Sequence, residues 1–189
     1  MNIRHLTLGI GMVLLLASAG NSAEVKTKHV HCSFSATFVS GVETHIDTNG
    51  DTRSASVHQG IVNCNIGRFV FQEEFEFQAP LPAPVTCPAG TQEFDLVQAH
   101  AVLTAEKTSD QLFFEDAAGA STFCLNPDLT FSFTEHGTFA GGTGQFTEAS
   151  GSFDGQGTGK YLVFGFKEGV FGGFSQFTET VTGTLNIPK

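Results

Sequence analysis

The sequence predicts an all-β domain, most economically a small closed antiparallel β-barrel of about eight strands, with a two-sheet sandwich as the alternative. After residue 23, apolar and polar residues alternate with a period of two, and no window of a dozen residues carries a helical stripe. Twenty-two glycines indicate frequent turns, and twenty phenylalanines beside one tyrosine and no tryptophan supply a core without polar groups. No helix is predicted to cover the sheet. Closing the sheet into a barrel is then the simplest way to pair its two edge strands with each other.

The first 23 residues have the pattern of a secretory signal peptide. Arg4 is their one formal charge, and residues 6–16 form an apolar run that is too short to span a bilayer, which takes about 20 residues. Small residues follow the run at Ala17, Ala19 and Ala23. We therefore expect residues 1–23 to be removed and residues 24–189 to form one soluble domain, secreted or periplasmic, with no membrane span.

The charge balance excludes one class of partner. The chain has 9 basic and 19 acidic side chains, giving a formal net charge of −10, so binding to a nucleic-acid backbone has no electrostatic driving force.

Four cysteines predict two disulfides, because an even number in an oxidising compartment is more simply explained by bridges than by metal ligands. If the segments around Cys32 and Cys64 are the arms of one hairpin that turns near residues 47–50, their thiols lie almost opposite each other. We therefore predict the pair Cys32–Cys64, which leaves Cys87–Cys124 to tie down a proline-rich loop. A metal cluster of His29, His31 and Cys32 is the alternative, but it lacks a second ligand pair at zinc spacing.

The strands follow in order from residue 32. Residues 32–38 alternate as a half-buried strand, a turn lies at 47–51, and a second arm ends at Cys64. From residue 67, Phe69, Phe71, Phe75 and Phe77 share one face of a third strand. Residues 79–88 hold four prolines and predict a stiff extended loop. Five later strands are expected at 94–106, 111–115, 130–139, 152–166 and 174–187, with turns at 107–110 and 116–120.

Residues 137–153, GTFAGGTGQFTEASGSF, carry a glycine-rich motif. Its expected role is structural: Gly141, Gly142 and Gly144 permit positive φ and close backbone approach, Phe146 closes the barrel end, and Gly151 permits another bend. A phosphate-binding loop is the alternative, but no lysine or helix start follows the motif and its surroundings are acidic.

This segment resembles the GGTGRF-x-GA-x-G signature of the allene oxide cyclase and dirigent barrels and of their secreted bacterial relatives, with Gln145 in the position of the arginine. Residues 67–69, 104–113 and 183–185 are also similar to those bacterial relatives. The resemblance implies a closed β-barrel. Enzymes of the family make or guide cyclic products from apolar substrates, but their acidic and basic active-site residues do not map onto positions of this chain.

Three acids share strand faces with aromatic residues. Glu73 is in phase with Phe71 and Phe75, Glu135 with Phe131 and Phe133, and Glu179 with Phe177 and Val181. Inside a closed barrel these carboxylates would face an apolar lumen, where burial raises the pKa and suits a group to proton transfer or to binding a cation. The alternative places each acid at a wet rim, or rotates Glu73 outward through a β-bulge. The candidate ligand-binding residues are therefore Glu73, Glu135, Glu179, Phe71, Phe75, Phe133 and Phe177.

Other chemistry has weaker support in the sequence. Residues 47–51, DTNGD, resemble the start of a calcium loop, but Thr52 stands in place of the loop glycine and His58 in place of the bidentate glutamate, so a hairpin turn explains them better. No nucleophile motif such as G-x-S-x-G is present, and we expect no metal and no cofactor.

The sequence thus favours an exported, disulfide-stapled barrel that binds a small apolar or amphipathic ligand or a protein partner without turnover. A cyclase or isomerase with a luminal glutamate as acid or base is the first alternative. An envelope protein that acts through its surface is the second. Oligomerisation is compatible with each.

Overall fold

The computed structural model describes residues 24–40, 56–77, 81–116, 118–167 and 170–189, and within these residues the chain forms nine β-strands and one short 3-10 turn. The strands are β1 Val25–Ser40, β2 Ser56–Cys64, β3 Gly67–Phe77, β4 Gln92–Ala105, β5 Gln111–Asp116, β6 Thr122–Leu125, β7 Thr130–Gly142, β8 Ser150–Lys167 and β9 Val170–Pro188. The predicted signal peptide and the predicted turn at 47–51 lie outside the described residues. Among the residues described, no helix has the length and apolar character that crossing a membrane requires.

All nine strands belong to one antiparallel sheet that closes on itself. The order is β3-β2-β1-β9-β8-β7-β5-β4, and β4 pairs again with β3 to complete a ring of eight strands. The ninth strand, β6, pairs with the first part of β4 and of β7, while β5 pairs with their later parts. Strands β5 and β6 therefore lie end to end in one position of the ring, and the predicted all-β barrel architecture is confirmed.

Three strand predictions need correction. Strand β6 was not expected, because four residues are too few to display a period-two pattern. Strand β1 begins seven residues before the predicted start, since it pairs with β9 along its whole length, from Val25 opposite Pro188 onward. Residues 167 and 170 pair at the end of β8 and β9, so both strands extend into the stretch 167–173 that separates the two predicted strands.

Aromatic side chains fill the interior of the ring. Phe69, Phe71, Phe131 and Phe153 are buried, and edge-to-face pairs such as Phe34 with Phe71 and Phe114 with Phe153 join different strands. Strand β8 turns three glycines toward this interior, at 155, 157 and 159. A Cβ at Gly157 or Gly159 would overlap with the ring of Phe133 or Phe131, so the absence of side chains on β8 leaves room for rings from β7.

The glycine-rich motif connects β7 to β8, and its glycines are required for two different reasons. Phe146 lies in the 3-10 turn Gly144–Phe146, is 1% exposed and packs near Phe69. Gly141, Gly144 and Gly151 have positive φ values of 93°, 54° and 135°. The expected positive φ of Gly142 is wrong: a side chain there is excluded because its Cβ would overlap with the backbone oxygen of Gln111.

Both predicted disulfides are present. Cys32 lies directly opposite Cys64 in the β1–β2 register, with 4.0 Å between their Cα atoms, and its side chain faces the interior. Cys87 is bonded to Cys124 on the outer side of β6 and anchors loop 81–91. Because Cys32 is consumed in a bridge, the alternative metal cluster with His29 and His31 is wrong.

Candidate functional site in the barrel lumen

The three predicted glutamates face the barrel interior. Glu73 on β3 and Glu179 on β9 are 4% and 5% exposed, and Glu135 on β7 is half-buried. The β2–β3 pairing is regular from Gly67 to Phe75, with Glu73 opposite His58. The irregularity in β3–β4 pairing falls later, between Glu76 and Phe77, so the alternative of a bulge that rotates Glu73 outward is wrong.

Two further ionisable residues belong to the same interior, and the sequence interpretation missed both. His58 on β2 is buried opposite Glu73, and Asp116 at the end of β5 is 4% exposed. A signal for Asp116 is present in the sequence, because it continues the alternation of Leu112 and Phe114 that places both of those residues inside. For His58 the signal is Val62, a buried residue that lies four positions later on the same face of β2.

His58 and Glu73 form a close pair inside an aromatic cage. Nδ1 of His58 lies 2.5 Å from Oε2 of Glu73. The rings of Phe75 and Phe177 lie 4.3 Å and 4.5 Å from the imidazole, centroid to centroid, and the ring of Phe71 lies 6.3 Å away. Burial lowers the pKa of His58 and raises the pKa of Glu73, so both shifts favour a neutral pair in which the carboxylic acid donates to Nδ1.

Asp116 forms the second polar group of the site. The Ser121 hydroxyl donates to its Oδ2 at 2.8 Å, and the backbone N–H of His136 donates to that hydroxyl oxygen at 3.2 Å. Oδ1 of Asp116 is buried without a hydrogen-bond partner. Burial raises the pKa of Asp116 to about 6, and the nearby charge of Glu73 acts in the same direction.

Glu135 and Glu179 form the third group, in which two carboxyls hydrogen-bond to each other. Such a contact requires that at least one of them carries a proton, because a carboxylate can only accept. Burial raises the pKa of Glu179 to about 8 and raises that of Glu135 well above its ordinary value, where repulsion by the Glu179 charge adds to the shift. Oε1 of Glu179 is buried without a hydrogen-bond partner.

One small enclosed space is lined by a member of each group, the third group contributing Glu135 and not Glu179. A cavity of about 20 Å³ lies among them, which is room for one water molecule. The polar residues that line it include His58, Glu73, Asp116, Ser121 and Glu135, and the aromatic ones are Phe75, Phe77, Phe123, Phe131 and Phe133. Glu135 also borders a second, mainly apolar cavity of about 10 Å³. Neither of these two cavities has room for more than about one water molecule.

The arrangement can store and exchange protons, and it can bind a group that donates hydrogen bonds. Four carboxyls and one imidazole share a low-dielectric interior, where each additional negative charge is costly. In the part of the chain that the structure describes, no group of three or more His, Cys, Asp or Glu side chains is arranged to hold a metal ion.

Comparison with known proteins gives weak structural similarity and no sequence match. No protein-family model matches the chain, and no curated protein is significantly similar to it. Among solved structures, the chain is similar to a pterocarpan synthase dirigent protein at 10% sequence identity, over 88% of this chain and 93% of that protein, with a TM-score of 0.24. At this identity and TM-score, the similarity assigns neither an activity nor a substrate to the chain.

Proposed function

We propose that this protein is an exported barrel that binds a small amphipathic molecule at the luminal carboxyl cluster and does not turn it over. One observation carries the proposal: four carboxyls and a histidine lie in an aromatic interior, and two of the carboxyl oxygens, Oδ1 of Asp116 and Oε1 of Glu179, have no hydrogen-bond partner.

The physical argument is one of cost. A buried polar group without a partner costs about 1–3 kcal/mol, and apolar residues of similar volume often serve stability as well as a buried ionic group does. The residues that precede these acids on the same strand faces are apolar. The barrel would therefore gain stability if the acids were also replaced by apolar residues. A cost of this kind at clustered positions is typical of functional sites.

The chemistry of the site defines the polar end of the ligand. Unpartnered carboxyl oxygens accept hydrogen bonds and attract positive charge, so a primary amine is the best complement. The 20 Å³ cavity beside Glu73, Asp116 and Glu135 is large enough for such a head group. The apolar part of the ligand would extend among the rings of Phe75, Phe123 and Phe133, which must change rotamer to admit it.

A titration with n-alkylamines of six to ten carbons, with n-alkanols of the same lengths for comparison, tests the proposal by NMR of isotope-labelled protein. We expect saturable shifts at Leu96 and Ala99 beside the cavity, tighter binding of the amines than of the alkanols, and weaker amine binding by Asp116→Asn and Glu179→Gln. Glu74→Gln is the matched control, because Glu74 neighbours Glu73 on β3 but is exposed. Absence of saturable binding, or an equal loss in the control, would overturn the proposal.

Export is part of the same proposal. The signal-like residues 1–23 and two disulfides support it, because disulfides persist mainly in oxidising compartments. N-terminal sequencing of protein released from the periplasm or the medium of its own host should begin at Glu24. Recovery of the intact chain from the reducing cytoplasm, with free thiols, would contradict it.

A second candidate function is a cyclase or isomerase that uses acid–base catalysis, and the 2.5 Å contact between His58 and Glu73 favours it. In this case Glu73 would give a proton to an apolar substrate, and His58 would accept one. The following experiment distinguishes the two functions. The ligand is extracted from protein purified from its host and is then incubated in excess with fresh protein. Conversion to a product of equal mass that is lost in Glu73→Gln supports the enzyme, and recovery of unchanged ligand supports the binding protein.

A further inference from the structure

A second concave site lies outside the barrel, and its volume is far larger than that of the luminal cavity. It is an open groove of about 730 Å³, which we call the outer groove, between the outward face of β1, β9, β8, β7 and β6 and the loop of residues 81–91. This volume falls within the range of about 300–1,000 Å³ that small-molecule sites occupy. Of the luminal acids, Glu179 alone is among the residues that line this groove.

The wall of the outer groove is held rigidly. Loop 81–91 contributes Thr86 and Pro88 to it and is tied to β6 by the Cys87–Cys124 disulfide. The carboxylate of Glu93 accepts the backbone N–H groups of Val85, Thr86 and Cys87 at 2.7, 2.8 and 2.8 Å. A wall fixed before the ligand arrives reduces the entropy that binding must overcome.

The floor is a grid of uncharged polar side chains. Thr180, Gln156 and Thr134 stand in one cross-strand row, and Thr178, Thr158 and Ser132 stand in the next. Five of the six are exposed, and Ser132 is half-buried. Neighbouring strands lie about 4.8 Å apart, and alternate residues along a strand lie about 6.7 Å apart, so donors and acceptors repeat at short, regular intervals.

The chemistry of this grid points to one ligand class. A hydroxyl both donates and accepts hydrogen bonds, and the threonine methyl groups offer small apolar contacts between them. A charged ligand would find no charged partner in these two rows, and an anionic one would also meet a chain of net charge −10. We propose that the outer groove binds a neutral oligosaccharide, whose hydroxyl groups match the grid and whose ring C–H faces match the methyl groups and Pro88.

Two other occupants fit the geometry less well. A peptide that adds a strand needs a sheet edge, but β1, β9, β8 and β7 each pair with a neighbour on both sides. A purely apolar ligand would leave the hydroxyl groups of both rows without partners, which is unfavourable. The two rows contain none of the luminal acids.

The test is a titration of isotope-labelled full-length mature protein with neutral oligosaccharides of four to six units, based on glucose, mannose or N-acetylglucosamine. We expect saturable NMR shifts at residues of the two rows with at least one of the three. The variant Thr158→Val/Thr180→Val removes two hydroxyls while keeping the β-branched shape, and it should weaken binding at least tenfold. The matched control is Thr138→Val/Thr182→Val, which changes exposed threonines of β7 and β9 outside the groove.

Each outcome decides the proposal. No saturable binding to any of the three sugars, an equal loss in the control, or tighter binding of anionic polygalacturonate oligomers would overturn it. Shifts confined to luminal residues such as Ala99 would also overturn it, and this measurement on the unmodified protein does not depend on the folding of a variant. Asp116→Asn changes a luminal acid that does not line the outer groove, so it should leave saccharide binding unchanged, and failure of the luminal proposal and failure of this one are distinguishable.

Discussion

Gly155 lies against Glu179 in the barrel interior, so closely that a Cβ atom at position 155 would overlap with Oε1 of that carboxyl. The same hypothetical atom would come within 3.3 Å of the Cβ of Glu135. Strand β8 thus provides, by the absence of a side chain, the space in which the two carboxyls meet. The contact between the two carboxyls therefore requires a glycine at position 155, although this glycine has no functional group.

Replacement of Gly155 by alanine should therefore destabilise the protein by about 1–3 kcal/mol, the usual cost of overpacking a filled interior. In the double variant with Glu179→Ala the clash is relieved, so the two substitutions should be non-additive by at least about 0.5 kcal/mol in urea unfolding. Additive effects would show that the carboxyl can move aside, and that Gly155 is not required by the pair.

Much of the site could be predicted because strand alternation assigns a side chain to a face. Glu73 and Glu179 are in phase with buried phenylalanines, and once the sheet closes, that phase fixes them inside. The Cys32–Cys64 pair follows from the same reasoning, since a hairpin brings the two residues opposite each other.

Alternation does not say how full the interior is. The sequence pattern allowed an open lumen, but the rings of Phe131 and Phe133 extend over the glycines of β8 and fill it, which only the three-dimensional packing shows. The outer groove was missed for a similar reason. Its wall depends on where a proline-rich loop folds back, and the buried Glu93 carboxylate that holds the loop accepts hydrogen bonds from residues six to eight positions earlier.

The two disulfides should make similar contributions to stability. They close loops of comparable length, with sequence separations of 32 and 37 residues. Chain-entropy reasoning then predicts that Cys32→Ala/Cys64→Ala and Cys87→Ala/Cys124→Ala each lose about 2–5 kcal/mol and differ by less than about 1 kcal/mol. Denaturant unfolding measures the loss, and peptide mapping without reduction should recover only the 32–64 and 87–124 pairs. A peptide that joins Cys32 to Cys87 or Cys124 would contradict the connectivity.

Two neighbouring glycines of the motif should differ in how much stability the protein loses when each is replaced by alanine. Gly142→Ala places a Cβ against the backbone oxygen of Gln111 and 2.7 Å from the Cβ of Phe146, and we expect a loss of about 1–3 kcal/mol. Gly141→Ala meets no atom within 4 Å but must hold a φ of 93°, which costs about 1 kcal/mol. Urea unfolding of both variants is the measurement, and a larger loss for Gly141→Ala would show that backbone strain, not the close approach, dominates this turn.

The luminal acids should make the protein less stable as the pH rises. The folded-state pKa values of Glu73 and Glu179 are raised from 4.5 to about 8, and that of Asp116 from 3.8 to about 6. A group with a raised folded pKa favours folding while it is protonated, so its contribution is full below the unfolded value and is lost as the pH rises to the folded value. Burial lowers the pKa of His58 to about 3, so His58 makes the free energy of unfolding rise with pH up to about pH 6.5, opposite to the effect of the carboxyls. Because the carboxyls outnumber the histidine, the free energy of unfolding should fall between about pH 4.5 and pH 8.

Glutamine substitution separates this effect from general pH sensitivity. Glu179→Gln retains the shape of the protonated acid and cannot ionise, so we expect it to match the unmodified protein within about 0.5 kcal/mol at pH 4 and to exceed its stability by about 1–3 kcal/mol at pH 8. Glu73→Gln should behave in the same way, whereas Glu74→Gln, exposed on the same strand, should change stability by no more than about 0.5 kcal/mol at either pH. Urea unfolding across the pH range, together with carboxyl titration by NMR, supplies the comparison. If Glu73 and Glu179 titrate near 4.5 and their glutamine variants gain nothing at pH 8, the carboxyls are solvated, and the lumen has neither the polar anchor for a ligand nor the acid for catalysis.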